Sequence, residues 1–369
     1  MRRTRDPVAA LGGSAEIGLV RAPGRVNLIG DHTDYNDGLV LPLAIDRECI
    51  AAWRPRDDGR VCVRSLDVDA AVTVAADGTD DPGSVEPSWG RLVAAIVRAL
   101  AERGRSPAGF DVALTSTVPL GSGLSSSAAF EVAIALAAIR AADGFALDRL
   151  ELARACRDAE QLATGVPCGL MDQLASLSGQ RDHALLIDCR SLSIQPVPLP
   201  AVVSTLVVHS GVARTLASSA YADRRAACEA AAARLGVPAL RDARPDDVAG
   251  DRRARHVVTE NARVVDAVAA LRAGDLEKLG AVLLASHASL RDDFEVSTRE
   301  LDLLVGLLVE EGAIGARLTG AGFGGCVVGL FDAAGVDDAR ERTTVRYREA
   351  TGLEPSAFVV HAVDGAGDA

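Results

Sequence analysis

Pro119-Leu-Gly-Ser-Gly-Leu-Ser-Ser-Ser-Ala-Ala129 joins a run that alternates like a strand, Phe110–Thr117, to an apolar stretch of helical length, Ser125–Ala141. Gly121 and Gly123 let the backbone turn tightly and come close to a ligand. Ser125, Ser126 and Ser127 fall at the start of the helix, where hydroxyls cap free N–H groups or turn to phosphate and metal. The positive end of the helix also favours an anion. A glycine turn followed by serine caps is the competing account, although three successive serines exceed what capping requires. Two other phosphate loops are excluded. A Walker loop needs Gly-Lys-Ser/Thr and a protein kinase needs a strand lysine, but the only lysine is Lys278, in a helical Asp-Leu-Glu-Lys-Leu context.

Working outward, the flanking pattern gives the fold class. Strand-like runs separated by Gly, Asn and Asp turns fill the N-terminal part: Leu19–Ala22, Gly24–Ile29, Gly38–Ile45, Ile50–Arg54 and Val61–Ser65. They predict a meandering antiparallel sheet. A polar linker, Asp77–Pro87, precedes an amphipathic helix over Trp89–Ala101, and a further helix is expected over Leu147–Leu162. Prolines at 196, 198 and 200 mark Pro196–Val203 as a domain crossing. Beyond it come helices around Ser219–Leu235, Val257–Ala273, Asp275–Ser289 and Thr298–Glu311, and strands at Thr205–His209, Ala316–Thr319, Gly325–Phe331 and Ala357–Val363. The expectation is two α+β domains, 1–197 and 198–369, and not a doubly wound parallel sheet. A chain of 369 residues is comfortable for two cores.

Thr319-Gly-Ala-Gly-Phe-Gly-Gly325 contains G-x-G-x-x-G, but a strand-like run follows it where a dinucleotide fold needs a helix. Four glycines between strands imply a tight hairpin, or a backbone lying against a ligand or the first glycine loop.

Arg25, Asn27, Asp31, His32, Asp34 and Tyr35 crowd into eleven residues between apolar runs. A solvated turn would look similar. Carboxylates that accept and a histidine that donates also suit a polyol. A metal site is disfavoured, because no further His or Cys lies nearby. Asp172 sits among apolar neighbours at a loop-to-helix junction, where helix capping is its ordinary role; the ordinary role of Glu160 is a solvated helix face.

Composition excludes several classes. The formal net charge of −12 argues against general affinity for nucleic acid or anionic membrane, and 3% aromatic residues leave few stacking platforms for bases. Seven scattered cysteines with no Cys-x-x-Cys, no secretory opening and no apolar run of membrane length indicate reduced thiols in a cytoplasmic protein.

These residues resemble a known family. Gly24-Arg-Val-Asn-Leu-Ile-Gly-Asp-His-Thr-Asp-Tyr35, Gly121-Ser-Gly-Leu-Ser-Ser-Ser-Ala-Ala129 and Leu318-Thr-Gly-Ala-Gly-Phe-Gly-Gly325 are similar to three motifs of the GHMP kinases (galactokinase, homoserine kinase, mevalonate kinase, phosphomevalonate kinase). The first is peculiar to the galactokinase branch. Cys168–Gln173, Asp182–Ser191, Tyr221–Cys228, Arg252–Asn261 and Ser286–Glu295 also resemble it.

The resemblance implies an N-terminal domain like the second domain of ribosomal protein S5 and a C-terminal ferredoxin-like domain. It implies transfer of phosphate from ATP, with Mg²⁺, to the anomeric hydroxyl of galactose, the committed step of galactose metabolism, by a monomer with no nucleic-acid or membrane partner. Asp172 matches the catalytic aspartate and Arg25 the arginine that keeps it ionised and stabilises the transition state. Asp31, His32, Thr33, Asp34, Gly169 and Tyr221 fall on the sugar side. Gly121, Ser122, Gly123, Leu124, Ser125, Ser126 and Ser127 fall on the ATP loop, and Ser65 and Trp89 border the adenine. Ser127 and Glu160 match the magnesium ligands. The family usually has Glu at Asp31; the shorter side chain draws the carboxylate back by about 1.5 Å, so a direct bond to the sugar becomes water-mediated. Within the branch, a kinase of N-acetylgalactosamine, arabinose or galacturonate is the near alternative. A non-catalytic sugar sensor is the distant one, since such relatives lose residues of the serine loop that are present here.

Overall fold

The computed structural model describes residues 6–12, 16–212 and 217–369. A short helix α1 (Pro7–Leu11) leads into β1 (Gly18–Asn27), β2 (Leu39–Val40), β3 (Pro42–Arg56), β4 (Arg60–Ser65) and β5 (Ala70–Ala75). Helix α2 (Gly90–Ala101), strand β6 (Gly109–Ser116) and helices α3 (Ser126–Arg140), α4 (Arg149–Thr164) and α5 (Met171–Ser178) follow. Next come β7 (His183–Asp188), β8 (Ile194–Pro198), β9 (Val203–His209), α6 (Ala217–Leu235), α7 (Arg252–Ala273), α8 (Leu276–Asp292) and α9 (Arg299–Glu310). The chain closes with β10 (Gly315–Thr319), β11 (Cys326–Asp332), α10 (Val336–Thr351), β12 (Ser356–Val360) and β13 (Gly367–Asp368).

The first sheet has the order β13-β1-β3-β6-β4-β5. It is not the simple antiparallel meander that the strand runs predict. β6 inserts between β3 and β4 and pairs with β4 in parallel. A parallel pair needs a crossover, which β5 and α2 provide. Helix α3 packs on β1, β3 and β6 and touches α2, α4 and α5. Its residues from Val132 to Ile139 are all buried, so it is apolar around its whole circumference, as a helix enclosed on every side must be.

A three-stranded sheet, β2-β7-β8, lies beside the first. Its edge strand β8 contains Pro196 and Pro198, which the sequence marks as a crossing. Proline lacks the N–H that an inner strand must donate, and an edge tolerates that loss.

The third sheet, β10-β11-β9-β12, is antiparallel throughout. The order of its strands and the placing of helices between β9 and β10 and between β11 and β12 give a ferredoxin-like arrangement. Helices α8 and α9 pack on β10, and α10 on β12. Helix α10 is the largest element that periodicity misses. Its buried stripe is only Val336, Ala339, Thr343 and Tyr347 within a highly charged stretch. The final residues leave this sheet and return to the first: Ala362 bridges Ile45, β13 pairs with β1, and the Ala366 N–H donates to the Ser176 carbonyl. Among the described residues no helix is long and apolar enough to cross a membrane.

Candidate active site

The phosphate-type loop is fastened to β1. Arg25 donates its backbone N–H to the Leu124 carbonyl at 3.1 Å, an approach open only because Gly24 has no Cβ; one there would lie 2.7 Å from that oxygen. The register of β1 against β3 slips between Pro23 and Arg25. Such a bulge re-aims the side chain that follows it, and Arg25 turns to Asp172. Its Nε donates to Asp172 Oδ1 at 2.9 Å and its Nη2 lies 2.7 Å from the same oxygen. Nη1 donates to the Gly123 carbonyl at 2.6 Å, so one guanidinium joins the aspartate to the loop. Asp172 Oδ2 accepts from Ser125 Oγ at 2.5 Å. Asp172 is in the first turn of α5 and caps nothing; Leu170 occupies the cap position.

Glu160, on the last turn of α4, is likewise not on a solvated face. Its Oε1 accepts from Ser127 Oγ at 2.9 Å, and its Oε2 from Gln173 Nε2 at 2.9 Å and Cys168 Sγ at 3.2 Å. Burial pushes its carboxyl up, and the charge of Asp172 adds to this. Gln173 also donates to the buried Glu131 at 3.1 Å.

Arg25, Ser125, Ser127, Glu160, Cys168 and Asp172 line one cavity of about 340 Å³, together with Asp31, His32, Asp34, Gly121, Gly123, Ser126, Gly169, Tyr221, Gly320 and Ala321. Asp34 is held against the backbone of Gly169, where any Cβ would overlap its carboxylate. Burial first, then the neighbouring Asp172, raises Asp34 to about 6. Burial lowers His32 to about 3, so the ring is neutral at pH 7. Its Nε2–H then donates to the Ala321 carbonyl at 3.2 Å, and its Nδ1 accepts from the Tyr35 hydroxyl at 2.9 Å. The hairpin between β10 and β11 thus lies against Asp31 and His32, which answers why it is so rich in glycine.

Three residues assigned by resemblance to the sugar loop and the ATP loop do not present their side chains to this cavity. Thr33 is fully buried, with its hydroxyl bonded at 2.7 Å to the carbonyls of Gly30 and Leu39, so it braces the sugar loop from behind. Ser122 is buried and donates to the Pro119 carbonyl at 2.7 Å. Leu124 is buried beneath the loop. Ser65 and Trp89 lie apart from the first cavity, on an adjoining one of about 370 Å³ that shares Ser126 and Ser127 with it. There Trp89 meets Phe130 edge-on, and its Nε1–H is buried without a protein acceptor.

Sequence reasoning misses the support behind Asp31. Arg317, fully buried on β10, reaches the Asp31 carboxylate at 2.5 Å and donates to the Leu28 carbonyl at 3.1 Å. Gly320 N–H donates to Asp31 Oδ1 at 2.9 Å. From α7, Glu260 accepts the Gly30 N–H at 3.0 Å, and His256 Nε2 bonds the Asp31 carbonyl at 3.2 Å. His256 and Glu260 lie in a stretch that resembles the family, which was the available signal; Arg317 lies one residue before the third motif.

A two-layer α+β fold with a serine-rich helix start, an Arg-held aspartate and a hydroxyl-gripping loop around one cavity defines a small-molecule kinase of the GHMP class. Residues 9–55 match the model of the galactokinase galactose-binding signature, 91–180 that of the GHMP kinases N terminal domain, and 267–344 that of the GHMP kinases C terminal. The chain is 44% identical over 364 residues to a galactokinase of Roseiflexus sp. (strain RS-1), covering 95% of this chain and 92% of that one. The crystal structure of Lactococcus lactis galactokinase complexed with galactose superposes with a TM-score of 0.92 at 30% identity, over 98% of this chain and 97% of the other. Methanococcus jannaschii mevalonate kinase shares the fold, with a TM-score of 0.70 at 17% identity over 95% and 99% of the two chains. The chain belongs to the galactokinase family, and it is a sugar kinase.

Proposed function

We propose that this enzyme transfers the γ-phosphoryl group of ATP to the C1 hydroxyl of α-D-galactose, giving α-D-galactose 1-phosphate and ADP. The observation that carries this reading is Asp172, held by Arg25 and Ser125 on the wall of a cavity that joins the sugar loop to the serine loop. Asp172 accepts the proton of the C1 hydroxyl as that oxygen bonds to the γ-phosphorus, and the bond to the ADP oxygen breaks. Little covalent chemistry is asked of the protein; alignment and charge neutralisation are the task. Arg25 supplies positive charge beside the reacting oxygen. The first amides of α3 and the glycine turn hold the phosphates. The apolar cavity of Ser65 and Trp89 takes the adenine, and the unpartnered Trp89 Nε1–H is a donor available to it.

The residues present fit Mg²⁺. Ser127 and Glu160 are hard oxygen donors 2.9 Å apart on the cavity wall, in surroundings where Asp172 already opposes the charge on Glu160. Magnesium suits one or two protein oxygens supplemented by phosphates; when bound it neutralises phosphate charge.

The substrate is a neutral sugar on this reading. Asp31, Asp34 and Asp172 all face the cavity, and they would repel the carboxylate of galacturonate. The test is ADP release measured across galactose, N-acetylgalactosamine, arabinose and galacturonate; a galactose rate far below another sugar's rejects the assignment. We also propose the division 1–197 and 198–369, supported by the separate sheets, with residues 361–369 returning to the first. Seven free cysteines fit a cytoplasmic setting.

A further inference from the structure

Ser125 stands where a helix cap belongs and does not cap. It precedes α3 with φ of 57°, and its side chain bonds none of the first helical amides. Serine is disfavoured in this left-handed region, and such a conformation persists only where the surroundings impose it. Here the Oγ reaches across to Asp172 Oδ2 at 2.5 Å. Oδ1 is already engaged by Arg25. Both oxygens of the aspartate therefore carry protein donors in this geometry.

A serine hydroxyl has one proton to donate. Ser125 lines the same cavity as Ser126 and Ser127, at a helix end whose amides favour an anion. Its proton goes to the aspartate here; with a triphosphate at the α3 N-terminus, a phosphate oxygen would be a second acceptor. It cannot serve both.

We propose that Ser125 is a positioning residue that couples the two substrates: nucleotide phosphate draws its hydroxyl away from Asp172 and so opens Oδ2 to the sugar hydroxyl. The proposal rests on the reading above, in which Asp172 is the base and the triphosphate lies at α3. In linkage terms, a phosphate-bearing nucleotide tightens sugar binding, and the sugar tightens nucleotide binding by the same factor.

The experiment is calorimetric titration of the whole protein with galactose, with and without the non-hydrolysable ATP analogue AMPPNP and Mg²⁺. The wild type is expected to bind galactose about 5-fold or more tightly with the analogue, the lower end of ordinary couplings. Ser125→Gly accommodates the positive φ and removes the hydroxyl. It is expected to bind galactose more tightly than wild type without the analogue, and the ratio of the two affinities should fall to about one. Ser125→Ala repeats the measurement with a less flexible backbone, so that loop loosening cannot imitate the result, and thermal melts of both variants confirm folding.

A purely structural serine would weaken galactose binding equally in both conditions; that outcome, a wild type without coupling, or a coupling retained in both variants overturns the proposal. Failure of the underlying reading looks different: wild type would not bind galactose at all, or Asp172→Asn would keep its turnover.

Discussion

The guanidinium of Arg317 meets the carboxylate of Asp31 at 2.5 Å, with 0% and 3% of the two side chains exposed. Burial pushes the Asp31 carboxyl up while Arg317 pulls it down. Breaking a buried pair by removing one member typically costs about 3–5 kcal/mol. Arg317→Met should lower the unfolding free energy in urea by this amount. The double variant with Asp31→Asn should recover part of the loss, because the neutral amide no longer needs the cation. A loss below about 1 kcal/mol, as for an exposed pair, would contradict the clamp.

Asp172→Asn keeps the side chain's shape but cannot take the sugar's proton. Turnover should fall by about 10²–10⁴-fold, the usual range for a general base, while calorimetry still registers ATP binding. Near-normal activity would remove Asp172 from its role.

Asp34 gives the site a pH dependence. Its carboxyl is raised from 3.8 to about 6, so it is ionised above about pH 6 and protonated below. An ionised acceptor bonds hydroxyls about twice as strongly as a neutral one, so kcat/KM for galactose should drop as pH falls through about 6. Asp34→Asn should flatten that limb. Stability runs the other way: between 6 and 3.8 the native state holds a proton that the unfolded chain releases, so this carboxyl favours the native state increasingly as pH falls.

Gly169→Ala tests the seat of the same carboxylate. The added Cβ would overlap the Asp34 side chain, and a displacement of about 1 Å in a binding group can cost on the order of 10²-fold in rate. Steady-state kinetics should show a loss of that order in kcat/KM for galactose, with KM for ATP little changed.

Glu160→Gln keeps a hydrogen-bonding side chain and removes a hard anionic ligand. The Mg²⁺ concentration for half-maximal activity should rise severalfold. Circular dichroism should remain native, since Gln is close to Glu in size.

Much of this architecture was legible because local chemistry and tertiary role agree. Helix α3 is expected as Ser125–Ala141 and observed as Ser126–Arg140, since a strongly apolar stretch after serines has few other solutions. The residues of the two motifs around Arg25 and Ser125 meet at one cavity. What escaped has a physical reason in each case. Arg317 sits in a strand where alternation would place it in water, but every residue of β10 is buried. Thr33 reads as a sugar ligand by position, yet its single hydroxyl proton is taken up between the backbone carbonyls of Gly30 and Leu39. Asp172 and Glu160 look like a cap and a surface acid until residues distant in the chain are brought beside them.

The return of β13 to β1 has a consequence for biosynthesis. The first strand of the sheet leaves the ribosome long before its outer neighbour at Gly367–Asp368. Until residue 368 has emerged, the nascent chain holds an open strand edge next to Arg21, and a chaperone that shields this edge would favour correct closure over pairing between neighbouring nascent chains.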